Sequence, residues 1–240
     1  LITASFAGLQ AEGLALSRGE RRLFAGLGFA IGAGELLLLE GPNGSGKSSL
    51  LRALLGLAPL SAGTLALGTP ACPIRPRELC PSVLYQGHAG ASKAELTAVE
   101  NLALAGALDD TLVHRADADA IATALDAALA AVGLARQRDV ETRRLSQGQR
   151  QRLTLARFAL ALHAPVRPLW LMDEPSAALD AEGSALLTRM LADHLARGGA
   201  AIVATHLPVA PGGGPTRSLR LDAFAPRRTR SAAPVEGASA

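Results

Sequence analysis

The sequence predicts an α/β protein: a mainly parallel sheet covered on both faces by helices, with a helical insertion in its middle. Three observations carry this. Short apolar runs bounded by glycine or proline, at 34–41, 168–174 and 200–205, read as strands buried on both faces. Amphipathic helical stretches alternate with them, the order that a parallel sheet requires. Residues 89 to 145 carry helical signals and no strand signal, which marks the insertion.

In chain order, "GELLLLEG" (34–41) is the first buried strand, and "KSSLLRALLGL" (47–57) follows as a helix with Leu50, Leu51, Leu54 and Leu55 on one face. "SVLYQ" (82–86) is a further short strand. "TAVE" (97–100) fits a capping box, with Thr97 as cap and Glu100 reaching back to the cap amide, and predicts a helix through about Ala107. In "DADAIATALDAALAAVGL", Ile121, Leu125, Ala128, Leu129 and Val132 form one stripe, and Gly133 stops the helix. "LSQGQRQRL" (145–153) opens an Arg-rich helix. "PLWLMDE" (168–174) is a buried strand, "DAEGSALLTRMLADHLARGG" an amphipathic helix, and "AAIVAT" (200–205) a buried strand again. "SLRLDAF" adds one more strand, and the Pro, Ala and Arg of residues 225–240 predict a disordered tail. Residues 1–224 are therefore expected to form a single domain.

Bulk properties exclude several classes. The longest apolar runs fall far short of a bilayer span, and no basic region followed by an apolar block suggests a signal peptide, so a soluble, cytoplasmic chain is expected. The net charge of +3 is mild and the arginines are not interleaved with aromatics, so no nucleic-acid partner is expected. The two cysteines, Cys72 and Cys80, lack metal-ligand spacing and read as reduced thiols.

The chemistry begins at "GPNGSGKS" (41–48), which satisfies G-x-x-x-x-G-K-[ST] between a strand and a helix. Gly41, Pro42, Asn43, Gly44, Ser45 and Gly46 form a loop whose backbone N–H groups cradle phosphates, joined by the helix N-terminus at Lys47, Ser48 and Ser49. Lys47 is expected on the β- and γ-phosphates of ATP, and the Ser48 hydroxyl on Mg²⁺. In "LWLMDE", Asp173 ends a strand where a carboxylate can hold Mg²⁺, and Glu174 is expected to polarise the attacking water. His206 ends another strand, at the edge where open α/β sheets place ligands, and is expected to sense the γ-phosphate. "LSQGQ" offers anion donors with no acid, base or metal ligand of its own.

"GPNGSGKS", "LSQGQ", "LWLMDEP", "SAALD" and "ATH", in this order over about residues 10 to 210, resemble the nucleotide-binding subunit of an ABC transporter. The resemblance implies the P-loop NTPase fold of ABC ATPases: a mainly parallel core, an inserted helical subdomain and an N-terminal antiparallel β region. It implies a head-to-tail homodimer in which Ser146, Gly148 and Gln149 of one subunit meet the ATP held by the loop of the other. Asp180 matches the segment that runs along that interface. It also implies an integral membrane permease subunit as partner and ATP with Mg²⁺ as substrate and cofactor.

Two positions depart from the family pattern. Where an aromatic residue usually stacks on adenine stands Arg18, whose guanidinium can also stack on a base. Where a glutamine usually enters the helical lobe, Gln86 and His88 compete. The spacing to "LTAVENL" favours His88, with Gln86 still in the strand, and predicts activity that falls as the imidazole gains a proton.

A narrower similarity lies in "SRGERRLFAGLGFAIGAGEL" and "YQGHAGASKAELTAVENLAL", which look like the ATP-binding subunit of the cytochrome c maturation system, the haem exporter. It implies a peripheral subunit on the cytoplasmic side of the inner membrane, with further cytochrome c maturation membrane proteins as partners. No histidine is assigned to haem. The competing readings are an ATPase of another exporter (drug, lipid or polysaccharide) and a P-loop module that uses ATP without transport.

Overall fold

The structure is a computed structural model and describes residues 6–68, 72–87, 91–112, 117–162, 167–205 and 214–226. A hairpin of β1 (Leu9–Arg18) and β2 (Arg21–Ile31) leads to β3 (Leu36–Glu40) and α1 (Lys47–Leu54). Then come β4 (Ala62–Leu67), β5 (Cys72–Ile74), the short α2 (Pro76–Leu79) and β6 (Val83–Gln86). Three helices follow, α3 (Ala98–Leu108), α4 (Ala118–Ala131) and α5 (Gln147–Ala161). The chain ends with β7 (Leu169–Asp173), α6 (Ala181–Ala196), β8 (Ala200–Ala204) and β9 (Thr216–Arg220).

The strands divide into two sheets. One has five strands in the order β6-β7-β8-β3-β9, every neighbouring pair parallel. The other has four, in the order β2-β1-β4-β5, all antiparallel. This is the predicted pairing of a parallel core with an N-terminal antiparallel region.

Side-chain alternation splits the interior in two. Leu169 and Leu171 of β7, with Ala200, Ile202 and Ala204 of β8, join Leu50, Leu51 and Leu54 of α1 and the hairpin residues Phe24 and Leu27. Trp170 and Met172, with Ala201 and Val203, face the other way, onto Leu129, Leu153 and Phe158 of the helical layer and Leu187 and Leu191 of α6. A strand buried on both faces carries no polar alternation, which is why these strands read as unbroken apolar runs. The predicted capping box of α3 forms, with Glu100 N donating to Thr97 Oγ1 at 3.3 Å and Thr97 N to Glu100 Oε2 at 2.8 Å. The predicted strand at 218–224 is displaced. β9 ends at Arg220, and Leu221–Phe224 turn into a 3₁₀ helix that buries Leu221.

One buried titratable group sits inside this packing. The His194 ring stacks on Trp170 with centroids 3.8 Å apart and planes 9° from parallel, and its Nε2 lies 3.1 Å from Ala200 O. Burial pushes its pKa down to about 4, against the carbonyl contacts that oppose the shift. His194 is therefore neutral in the fold, whereas in the unfolded chain it takes a proton below about 6.5. Stability is lost as pH falls from about 6.5 towards 4, because the unfolded state binds more protons in that window. Urea denaturation should show a loss of about 2 kcal/mol between pH 7 and pH 5 from this group. His194→Phe, which keeps the stack, should remove that share of the loss. An equal loss in the variant would place its source elsewhere.

Candidate active site

The loop between β3 and α1 takes its shape from three glycines with positive φ, Gly41 at 138°, Gly44 at 79° and Gly46 at 107°. Gly46 is also sterically fixed. A Cβ there would lie 3.2 Å from Phe24 Cδ1 and 3.3 Å from Leu23 Cβ. Gly46 is the N-cap of α1 and brings no capping side chain, so an anion at this helix N-terminus would meet backbone N–H groups without a competing side-chain cap from Gly46. Lys47 is 7% exposed, and its Nζ donates to Gly41 O at 2.8 Å, which anchors the ammonium across the mouth of the loop.

The alternation of β7 decides what meets this loop. Residues 169 and 171 point to the α1 side, and Asp173, the last residue of the strand, follows the same parity. Ser48 Oγ donates to Asp173 Oδ1 at 3.0 Å. Asp173 is 2% exposed, and its Oδ2 has no hydrogen-bond partner among the described residues. A buried carboxylate oxygen left open beside a hydroxyl is a fit for a hard divalent cation that takes its remaining ligands from water and phosphate. Mg²⁺ would be held by Ser48 and Asp173.

Glu174 begins the next loop with φ at 51°, a left-handed conformation that side chains seldom adopt, and its N–H donates to Ala204 O of β8 at 2.8 Å. The turn carries Glu174 out of the sheet and into the wall of a cleft of about 580 Å³. That cleft is lined by Asn43, Gly44, Gly46, Lys47, Ser48 and Ser49 of the loop and the start of α1, by Glu174, and by Arg18, Arg21 and Leu23 of the hairpin. Its size suits an organic triphosphate.

Gln86 is the last residue of β6, in register with Met172 of β7, as expected from its placement in the strand. It is 3% exposed and its Oε1 accepts no hydrogen bond among the described residues. His88 and His206 lie outside the described residues.

Ser146, Gly148, Gln149 and Asp180 do not line the cleft of their own chain. Ser146 caps α5 in a reciprocal box: Gln149 N donates to Ser146 Oγ at 3.2 Å and Ser146 N to Gln149 Oε1 at 2.9 Å. Asp180 caps α6, accepting from Gly183 N at 2.7 Å and from Arg152 Nη2 at 2.9 and 3.0 Å. The Gly183 bond first, and then Arg152, hold its carboxyl below the usual carboxylate range. Gln151 Nε2 donates to Pro175 O at 2.8 Å and so ties α5 to the Glu174 loop. Reading the sequence missed Arg21 and Gln151. The turn that folds β1 onto β2 held the signal for Arg21, because it sets that residue directly opposite Arg18.

The family model described as ABC transporter matches residues 24–177 of this chain. The chain is similar to the cytochrome c biogenesis ATP-binding export protein CcmA of Dechloromonas aromatica (strain RCB), 44% identical over 213 residues that cover 89% of this chain and 99% of the relative. It is also similar to the protein of the same name from Cupriavidus necator, 46% identical over 216 residues, with 90% and 88% covered. Among solved structures, a Pyrococcus furiosus protein described as an ABC transporter ATP-binding protein superposes with a TM-score of 0.73. It does so at 16% identity, over 91% of this chain and 100% of its own. That likeness is one of fold.

Proposed function

This chain belongs to the ABC transporter family, and we propose that it is the ATP-hydrolysing subunit of a membrane complex that drives haem export or haem-carrier release in cytochrome c biogenesis. The enzyme class, an ABC-type ATPase, follows from the family. The specific role rests on near full-length similarity to relatives named as cytochrome c biogenesis ATP-binding export proteins. The single observation in the structure that supports hydrolysis is the meeting of Ser48 and Asp173 at 3.0 Å with Glu174 on the wall of the same cleft.

In this reading the loop N–H groups and Lys47 hold the triphosphate, and Glu174 accepts a proton from the attacking water. Bound Mg²⁺ supplies charge neutralisation between the phosphates, and Ser48 and Asp173 orient it. His206 contacts the γ-phosphate. For the residue that senses metal and water from the loop after β6, the orphaned Oε1 of Gln86 favours Gln86, whereas spacing in the sequence favours His88. Arg18 contacts the base. Ser146, Gly148 and Gln149 serve the nucleotide of a second copy, with Asp180 along the interface. Their absence from their own cleft supports this.

The unit is residues 1–224, with 225–240 as an appendage. No described helix is long and apolar enough to cross a membrane. The subunit works peripherally, on the cytoplasmic side of the inner membrane, against an integral permease and other cytochrome c maturation membrane proteins. The permease docks beside α3. Leu57, Leu104 and Leu108, the large apolar side chains most exposed among the described residues, border two adjoining hollows that share the Asp109–Arg157 ion pair.

Glu174→Gln should bind ATP and lose turnover by on the order of 10²–10⁴, because the amide cannot accept the proton. Near-normal phosphate release by the variant, assayed in its membrane complex, would remove Glu174 from the base role. A linked dimer with Lys47→Ala in one subunit and Ser146→Arg in the other places both lesions in one shared site. It should hydrolyse ATP measurably faster than a homodimer carrying both substitutions in each subunit, and equal rates would exclude sharing. For the loop, the ATPase rate of Gln86→Ala should fall below that of His88→Ala, and the reverse order would assign the role to His88.

A further inference from the structure

Asn101 stands in the first turn of α3 and is 7% exposed, yet it is not part of that helix's cap, which Thr97 and Glu100 already supply. Asparagine is among the poorer residues inside a helix, and burying its amide costs free energy unless its polar atoms are paired. Here the amide is paired throughout. Its Oδ1 accepts from Lys93 N at 2.7 Å. Its Nδ2 donates to Thr142 Oγ1 at 2.8 Å, Lys93 O at 2.9 Å, Leu96 O at 3.1 Å and Thr97 O at 3.2 Å. Two N–H groups shared among these acceptors leave the side chain little freedom.

The bond to Thr142 is the one that leaves the neighbourhood of α3. It spans 41 positions of sequence, from the stretch that follows β6 to the 3₁₀ turn Thr142–Arg144 that precedes Ser146. Backbone bonds lace the same two stretches together: Ala98 N donates to Val140 O at 3.1 Å, Thr142 N to Leu96 O at 2.9 Å and Arg143 N to Ala94 O at 3.0 Å. Leu145 N then donates to Thr142 O at 3.2 Å, and the Leu145 side chain is buried in the core of the helical layer. Apolar packing is non-directional, so it holds Leu145 without fixing where the chain emerges. Thr142, gripped by a buried amide, fixes that point, and the Ser146 cap of α5 starts from it.

We propose that Asn101 is a positioning residue for the shared nucleotide site. Through Thr142 it sets the place of the α5 terminus at Ser146, which meets the nucleotide of a second copy. The inference rests on the shared-site reading above and goes beyond it by naming a residue outside both halves of the site that governs how well they close.

The test uses the full chain carrying Glu174→Gln, with Mg²⁺ and ATP as the probe. Dimer formation is followed by sedimentation velocity, and ATP binding to the single chain by displacement of a fluorescent nucleotide from dilute protein. Thr142→Val removes the hydroxyl and leaves Asn101 its carbonyl partners, whereas Asn101→Leu removes the amide at similar size. Each should weaken the ATP-bound dimer by about fivefold or more and leave the Kd of the single chain for ATP within about twofold. Thr142→Ser, which keeps the acceptor, should restore the dimer. Thr142→Val decides the matter alone if Asn101→Leu does not fold. A dimer of unchanged strength in Thr142→Val, a Thr142→Ser dimer as weak as that of Thr142→Val, or a loss of ATP affinity equal to the loss of dimer would overturn the proposal and leave the shared site standing. Absence of an ATP-dependent dimer with Glu174→Gln alone would sink the shared site, and the proposal with it.

Discussion

The burial of β7 on both faces is the constraint from which the active site follows. All five residues of Leu169–Asp173 are buried, between β6 on one side and β8 on the other. No polar side chain fits within such a strand without losing its hydration, so functional groups must wait for the strand's end. Parity then assigns them. The face that takes Leu169 and Leu171 against α1 also takes Asp173, and the first turn of α1 carries Ser48. The hydrogen bond between Ser48 and Asp173 thus joins two segments 125 residues apart as a by-product of how the core packs. Glu174, one residue on, can take a different role because the chain leaves the sheet there in a left-handed turn.

What was legible in the sequence follows the same physics. The strands of the parallel sheet that are buried on both faces announce themselves as apolar runs, and β3, β7 and β8 were placed within a residue or two of their ends. The phosphate loop was legible because its chemistry is local, eight successive residues that need glycine where φ is positive. The antiparallel sheet was not readable residue by residue. β1 breaks its alternation at bulges between Ala11 and Ser17, and β5 has three residues, one of them proline. The resemblance to a family supplied that sheet, where periodicity gave nothing. The end of β9 is not legible, because Leu221 has the character of a strand residue and instead plugs the core from a 3₁₀ turn.

The cleft shows the limit of local reading more sharply. Its phosphate loop is one motif, whereas its hairpin wall is a juxtaposition across two strands. The register makes Arg18 and Arg21 a pair. No local pattern distinguishes Arg21 from Arg22, which stands opposite Ser17. Only pairing in the sheet decides which guanidinium shares a face with Arg18.

Ser146 and Gln149 satisfy each other, and Arg150 N donates to Ser146 O at 2.9 Å, so α5 begins as a finished helix terminus. A capped terminus still has N–H groups that the helix itself cannot use, and those of Gln147 and Gly148 are the two left over in its first turn. Ser146 and Gln147 are exposed, on a part of the chain that does not face its own cleft. Between this terminus and the sheet runs the loop from Glu174 to Asp180. It holds two non-glycine residues at positive φ, Glu174 at 51° and Ala178 at 62°, each costing on the order of 1–3 kcal/mol. The contacts that retain the strain come from both sides: Ala204 O of the sheet holds Glu174 N, and Gln151 and Arg152 of α5 hold Pro175 and Asp180. A shift of α5 relative to the sheet therefore bears on the backbone that aims Glu174. The loop that positions the candidate base is thus anchored to the helix that begins at the Ser146–Gln149 capping box.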